Sequence, residues 1–330
     1  MTVVDMHCHL LTQDWVRQIE KYGKPEFGIA KRVDGVECLV EGGTMTMTLE
    51  KKKKFDYPGH IKAMDAAGID VSVLSLTSPN VMWGDAKVSA ETARLTNDGM
   101  AQAQKEFPSR LRWLASIPWE HPELAKAELA RACANGAVGV VVLANIRGKP
   151  LTDPAFGEVW AEVDRRKLAV FCHPTNPPGA EALDMKGGIK RLLLPTVGFV
   201  FDTTLAVARM IFDGFFDRYP NVKFITSHAG GTLPFLASRI DLFYGFLPEA
   251  EKTLKATPSD YLRRIYYDAI VYHPEGLAEC IHLGGADRVL FGTDYPHSTD
   301  VPGLLKQTKE LGPRERGAVL GKNAEALFSL

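Results

Sequence analysis

Eight short apolar or β-branched runs spaced along the chain constrain its fold more than any other feature: Val3 to Leu10, Val71 to Leu76, Leu111 to Pro118, Val138 to Asn145, Leu168 to Pro174, Val222 to His228, Ile265 to Tyr272 and Val289 to Asp294. They are mostly apolar without clean alternation, as expected of strands covered by helices. Helical punctuation lies between them. Pro58 to Gly68 carries Ile61 and Met64 on an inner face, Pro122 suits a first helical position with Gly136 as a stop, and Asp153-Pro154 opens a segment with Phe156, Val159, Trp160 and Val163 on one face. Strands alternating with helices build βαβ units on a parallel sheet. Eight such units predict an α/β fold, a closed (β/α)8 TIM barrel spanning 1–330 as a single domain.

One stretch departs from that rhythm. Leu11 to Phe55 is too long for a plain βα connection and holds Gly35, Gly42-Gly43, the alternating Thr44-Met45-Thr46-Met47-Thr48 and Lys51 to Lys54. We expect an insertion over 11–55, partly β, that forms a lid at the barrel mouth. Pro313 to Leu330 reads as a closing helix.

The formal net charge of −1 provides no basic field for nucleic acid or an anionic membrane, and neither partner is expected. No apolar run approaches the roughly 20 residues needed to span a bilayer, and no basic stretch followed by an apolar segment opens the chain. The cysteines (Cys8, Cys38, Cys133, Cys172, Cys280) are scattered without a C-x-x-C pair and read as reduced core thiols. A cytoplasmic location is the expectation.

In a barrel the carboxyl ends of all strands meet on one face, where sites are built. Reading only those ends gives His7 and His9 on strand 1, His173 on strand 5, His228 on strand 6 and Asp294 on strand 8. Two histidines at i and i+2 present two imidazoles to one side of a strand. Either could be a hydrogen-bonded core residue, and Asp294 could be an ordinary turn carboxylate; their joint placement argues for a metal site. Imidazole and carboxylate ligands suit Zn²⁺ or another borderline divalent ion, so His7, His9, His173 and Asp294 form the expected ligand set, with His228 nearby as acid/base. His60, His121 and His282 lie on or beside helices and read as packing or surface residues; His273 and His297 follow strands 7 and 8, near the mouth.

Four segments carry a family resemblance: Asp5-Met6-His7-Cys8-His9, Phe171-Cys172-His173-Pro174, the run from Ser227-His228-Ala229-Gly230-Gly231 to Arg239, and Leu290-Phe291-Gly292-Thr293-Asp294-Tyr295-Pro296. Weaker likeness appears in Met64-Asp65 with Gly68-Ile69 and in Tyr267-Asp268-Ala269. Together they resemble the amidohydrolase superfamily, in the branch that contains 2-amino-3-carboxymuconate-6-semialdehyde, isoorotate and γ-resorcylate decarboxylases. The resemblance implies one divalent metal per chain, usually Zn²⁺ or Mn²⁺, on His7, His9, His173 and Asp294. It implies proton transfer at His228 and binding of substrate carboxylate by Arg239, across a dimer interface in the name-giving enzyme. A lid arginine of that enzyme matches Lys51 here, where a point charge replaces a bidentate fork, although Lys51 to Lys54 also reads as a solvated charge run.

Two-metal hydrolytic relatives need a bridging ligand near the end of strand 4, which here reads Val142-Leu143-Ala144-Asn145; a mononuclear site is expected. Deaminase relatives place a glutamate close behind the strand-5 histidine, where this chain has Pro174-Thr175-Asn176-Pro177-Pro178. The leading expectation is therefore a metal-dependent, non-oxidative decarboxylase of an aromatic or conjugated carboxylic acid, a carbon-carbon lyase. The alternative is a hydrolase of a C–N amide or lactone bond using metal-activated water, with Asp294 taking the proton; a barrel with a purely structural metal is disfavoured, since such sites are usually closed with cysteine. Trp83, Asn176, Arg239 and Tyr295, with the lid, are the expected pocket residues. The apolar helix around Arg239, with Phe235, Leu236, Ile240, Leu242, Phe243 and Phe246, suggests a homodimer.

Overall fold

The computed structural model describes residues 2–50, 54–182, 192–298 and 300–330. Each apolar run contains a strand: β1 (Val4–His9), β5 (Val71–Ser75), β6 (Leu111–Ala115), β7 (Gly139–Leu143), β10 (Ala169–His173), β11 (Lys223–Thr226), β12 (Tyr266–Asp268) and β13 (Val289–Leu290); short antiparallel strands, β2 (Phe27–Lys31), β3 (Glu37–Glu41), β4 (Thr44–Thr48), β8 (Asn145–Ile146) and β9 (Lys149–Pro150), lie between them. The eight are parallel neighbours in chain order. Met6 N donates to Phe291 O at 3.0 Å and His9 N to Tyr295 O at 2.6 Å, so the segment following β13 closes the sheet onto β1. The result is a (β/α)8 barrel.

Local chemistry sets the helices that cover it. Asp56 caps Tyr57–Ala67 by accepting from Gly59 N, and Gly68, at φ 71°, ends it in the left-handed conformation that glycine adopts without strain. Asp153 caps a short 3-10 turn that runs into Gly157–Arg165, and Phe156, Val159, Trp160 and Val163 are buried, as the sequence periodicity predicts. The tail is helical from Pro313 to Phe328 and sends Ala324, Leu327 and Phe328 into an apolar cluster with Val4, Met6, Val73, Leu114, Val141 and Ile225.

A bulge in β1 decides where the histidines go. Val4 and Asp5 pair with Val71 and Ser72, whereas Cys8 and His9 pair with Leu74 and Ser75, so Met6 and His7 together oppose Val73 alone. One extra residue reverses the side-chain alternation. Val4 and Met6 join the apolar interior below, and His7 and His9 face the same interior above it.

Between β1 and β5 lie a helix, Gln13–Tyr22, and the antiparallel sheet of β2 (Phe27–Lys31), β3 (Glu37–Glu41) and β4 (Thr44–Thr48). Leu39, Glu41, Thr46, Met47 and Thr48 of this sheet line a cavity at the barrel mouth.

The expectation that no apolar run nears spanning length is corrected at Leu194–Phe212, 19 helical residues of mean hydropathy 1.3. Packing against the barrel accounts for that apolarity. Val207, Met210 and Ile211 enter the main core, and buried Asp202 accepts hydrogen bonds from Asn145 Nδ2 and Thr175 N, both at 2.9 Å.

Candidate metal centre and cavity

His7 and His9 leave the end of β1, His173 ends β10, and Asp294 follows β13. One ligand atom from each lies within 4.8 Å of all the others. His7 Nε2 stands 3.1 Å from His9 Nε2, and Asp294 Oδ1 lies 3.6 Å and 3.4 Å from those two nitrogens.

The opposite ring nitrogens show what this arrangement fits. His7 Nδ1 meets Asp268 Oδ2 at 2.6 Å, His9 Nδ1 meets Ser75 O at 3.3 Å and Ser75 Oγ at 3.1 Å, and His173 Nδ1 meets Pro174 O at 2.7 Å. A carbonyl or carboxylate oxygen can only accept, so each Nδ1 carries the proton and each Nε2 offers a lone pair. Lone pairs 3.1 Å apart repel one another and are reconciled by a cation between them. Burial pulls the His9 and His173 imidazoles down, His173 well below its usual range with help from its neighbours His9 and His7. Both stay neutral, as ligands must. The four residues suit one divalent metal. At the end of β7, Asn145 donates to Asp202 Oδ1 and to Asn176 O, and supplies no bridging lysine or carboxylate.

Asp294 carries the negative charge of the cluster. Burial raises its carboxyl, but His228 and His9 outweigh it and hold the group well below the usual carboxylate range. His228 responds in the opposite sense: burial lowers its imidazole, yet Asp294, 3.8 Å from Nε2, and Asp268 leave it raised overall. Asp268 also accepts from His228 N and Ala229 N, both at 2.9 Å, so one carboxylate fixes His7 and the turn bearing His228.

The backbone is strained where these side chains are presented. Asp294, His228 and Ala229 adopt φ of 56°, 50° and 53°, a region that residues with a Cβ enter at a cost of about 1–3 kcal/mol each. Gly292 lies so close to β1 that a Cβ there would sit 2.9 Å from His7 Cβ. Asp5 ties the two segments together by accepting from Thr293 Oγ1 at 2.6 Å and Thr293 N at 3.0 Å; burial pushes its carboxyl up to about 7.

Above the cluster opens a cavity of about 1390 Å³, lined by His173, His228 and Asp294 at the metal end and by apolar side chains including Leu194, Phe199, Val200 and Ile270. Asn176 lines it and donates to Glu41. Trp83 does not line the cavity: it is buried in the core, donates Nε1–H to Asn80 O at 3.0 Å and packs near Phe27. A bulky aromatic after a strand can face the mouth or the barrel wall, and this one faces the wall. Tyr295 packs its ring 5.0 Å from His60, behind the metal turn. Arg239 is exposed on helix Leu233–Gly245, its guanidinium 4.7 Å from the Phe243 ring centre, and does not line the cavity of its own chain. Lys51 lies outside the described residues.

Three contributors, Asp268, Ser75 and Lys54, were not assigned from sequence. Asp268 and Ser75 orient ligand imidazoles; both stand at strand ends, which was the available signal. Lys54, the last of the lysine run, is buried and lines the cavity. His297 also lines it, with its ring 5.3 Å from that of His9.

Known proteins share this arrangement of strands. The 2-amino-3-carboxymuconate-6-semialdehyde decarboxylase of Dictyostelium discoideum is 30% identical over 340 residues, covering 99% of this chain and 91% of that protein. Apo IDCase from Metarhizium anisopliae superposes with a TM-score of 0.87 at 26% identity, covering 99% of this chain and 97% of that one. A dihydroxybenzoic acid decarboxylase from Polaromonas sp. JS666, solved with manganese and the inhibitor 2-nitroresorcinol, superposes with a TM-score of 0.81 at 25% identity, covering 100% and 97%. The family profile described as amidohydrolase matches residues 4–330. With that match running from β1 to the closing helix, the chain belongs to the amidohydrolase family.

Proposed function

We propose that this chain is a metal-dependent, non-oxidative decarboxylase of an aromatic or conjugated unsaturated carboxylic acid. The observation that carries this reading is His228, whose Nε2 stands 3.8 Å from Asp294 Oδ2 and whose backbone N–H is held by Asp268, in a largely apolar cavity beside the four convergent ligands. The named relatives are decarboxylases over nearly the whole chain, which favours carbon–carbon cleavage over the hydrolase alternative.

His7, His9, His173 and Asp294 would hold a divalent ion, which would supply positive charge to offset that of the substrate carboxylate. Phe199, Val200 and Ile270 provide apolar walls that seat an unsaturated acid and limit water around it. Its two carboxylate neighbours raise the affinity of His228 for a proton against the effect of burial, which suits it to proton donation. Transfer of that proton to the carbon bearing the carboxylate interrupts conjugation. The carbon–carbon bond then breaks, its electron pair restores the π system, CO₂ leaves, and His228 regains a proton from solvent.

Three imidazoles and one carboxylate suit Zn²⁺, whereas the Polaromonas protein holds manganese; elemental analysis of the purified protein separates the two. A homodimer belongs to the same reading. Helix Leu233–Gly245 and the turn after it leave Phe235, Leu242, Phe243 and Phe246 exposed at 90%, 56%, 50% and 70%, an apolar face that a second copy would cover. Arg239 on that helix would reach a cavity only across such an interface. Light scattering should give the dimer mass, and a monomer at micromolar concentration contradicts it.

His228→Asn tests the mechanism. CO₂ release should fall by roughly 10²–10⁴-fold with metal content unchanged. Unchanged turnover overturns the assignment.

A further inference from the structure

Tyr272 takes no part in the chemistry above, yet its backbone is held at φ 63°. That left-handed region suits glycine and, less well, asparagine; for a bulky aromatic residue it is an outlier, kept only where something else over-determines it. The flanking chain is anchored by other residues. β12 ends at Asp268, whose Oδ1 accepts from Ile270 N at 3.1 Å, and Val271 N donates to Ala269 O at 3.1 Å. On the far side, helix Pro274–Gly284 begins with His273 Nδ1 accepting from Gly276 N at 3.0 Å. A glycine between these two anchors would complete the turn without strain.

Burial of the ring does not offset the strain either, because Tyr272 is 55% exposed. What the conformation achieves is placement. Side chains alternate along an extended chain, yet Ile270, Val271, Tyr272 and His273 all line the cavity. The Tyr272 hydroxyl is hydrogen-bonded to Ser298, whose own N–H donates to Asp294 O at 2.9 Å. The ring is therefore fixed at the cavity mouth, beside the turn that carries a metal ligand.

We propose that Tyr272 is a specificity-determining residue: its strained turn presents the aromatic ring to the unsaturated skeleton of the bound acid, a contact made for binding and not for stability. This deepens the decarboxylase reading and rests on it for the nature of the acid. The favoured substrates carry a flat π system long enough to extend from the metal to the mouth, and small saturated acids gain nothing from this residue.

Calorimetric titration of the Mn²⁺-loaded protein with benzoate and acetate, together with urea unfolding of the ligand-free protein, tests this without turnover. Tyr272→Asn should weaken benzoate binding by roughly three- to tenfold, the range of one aromatic pair, and leave acetate unchanged. Its urea midpoint should stay the same or rise, because asparagine accepts the left-handed region. Tyr272→Phe should keep most of the benzoate affinity. Unchanged benzoate affinity in Tyr272→Asn overturns the proposal, as does a loss shared equally by acetate. A lowered urea midpoint assigns Tyr272 to the fold, and a changed mass in light scattering assigns it to a subunit contact; either overturns it too. A benzoate-selective loss in Tyr272→Asn without CO₂ release from any acid retains the role of Tyr272 and rejects the decarboxylase; CO₂ release with equal benzoate affinities does the reverse.

Discussion

Low in the barrel interior, Val4, Met6, Val73, Leu114, Val141 and Ile225 pack with Phe328 of the closing helix; one layer up, the strands deliver His7, His9 and His173, with Asp294 and His228 arriving on strained turns. The lower layer is apolar and stabilises by burial. The upper layer spends stability: it buries charge, holds Asp294 and His228 at positive φ and directs imidazole lone pairs at one another. β1 crosses from one regime to the other within a single strand, and the extra residue at Met6–His7 makes that possible. The contrast teaches that stability and chemistry are separated along the barrel axis, so each can be altered with limited effect on the other.

His9→Ala should have the largest effect. It removes a lone pair from the upper layer, and elemental analysis should find no stoichiometric metal and gas analysis no CO₂, while circular dichroism reports an intact barrel. Asp268→Asn should act more mildly, because it keeps the ligands but loses the carboxylate that orients His7; metal affinity should fall by roughly 10–100-fold in a competition titration. Leu114→Ala addresses the lower layer. Urea unfolding should show a loss of about 2–5 kcal/mol, with metal per folded chain unchanged. Loss of metal binding at native temperature would show that the two layers are coupled.

The smallest effect concerns His60, 2% exposed and without a hydrogen-bond partner for either ring nitrogen among the described residues. Burial pushes its imidazole from 6.5 down to about 4. Above pH 6.5 folded and unfolded states are both neutral at this position, so its contribution is fully present. As pH falls from there toward 4, the unfolded state takes up a proton that the folded state refuses, and stability is lost. His60→Phe should flatten the stability profile across that window by at most about 3 kcal/mol. Parallel profiles for the two proteins would contradict it.

What the sequence made legible follows from what each inference needed. The ligand set needed only strand order and i, i+2 geometry, and His7, His9, His173 and Asp294 come together as read. The β1 bulge was invisible, because Val3 to His9 reads as one unbroken run and the extra residue appears only in the pairing with β5. Asp268 was noticed within a motif but not given a role, since strand spacing does not say which imidazole an acid meets across the barrel. The burial of Trp83 away from the cavity was not legible, because a loop aromatic has no periodicity to show whether it faces mouth or wall. Lys54 was hidden among four lysines that read together as a solvated run.

The most direct test is CO₂ release from hydroxybenzoates, aminocarboxymuconate semialdehyde and pyrimidine carboxylates, measured before chelation, after chelation and after restoring Zn²⁺ or Mn²⁺. CO₂ from at least one acid, lost with the metal and recovered on its return, is the predicted result. CO₂ release that survives complete removal of metal from the protein would contradict it.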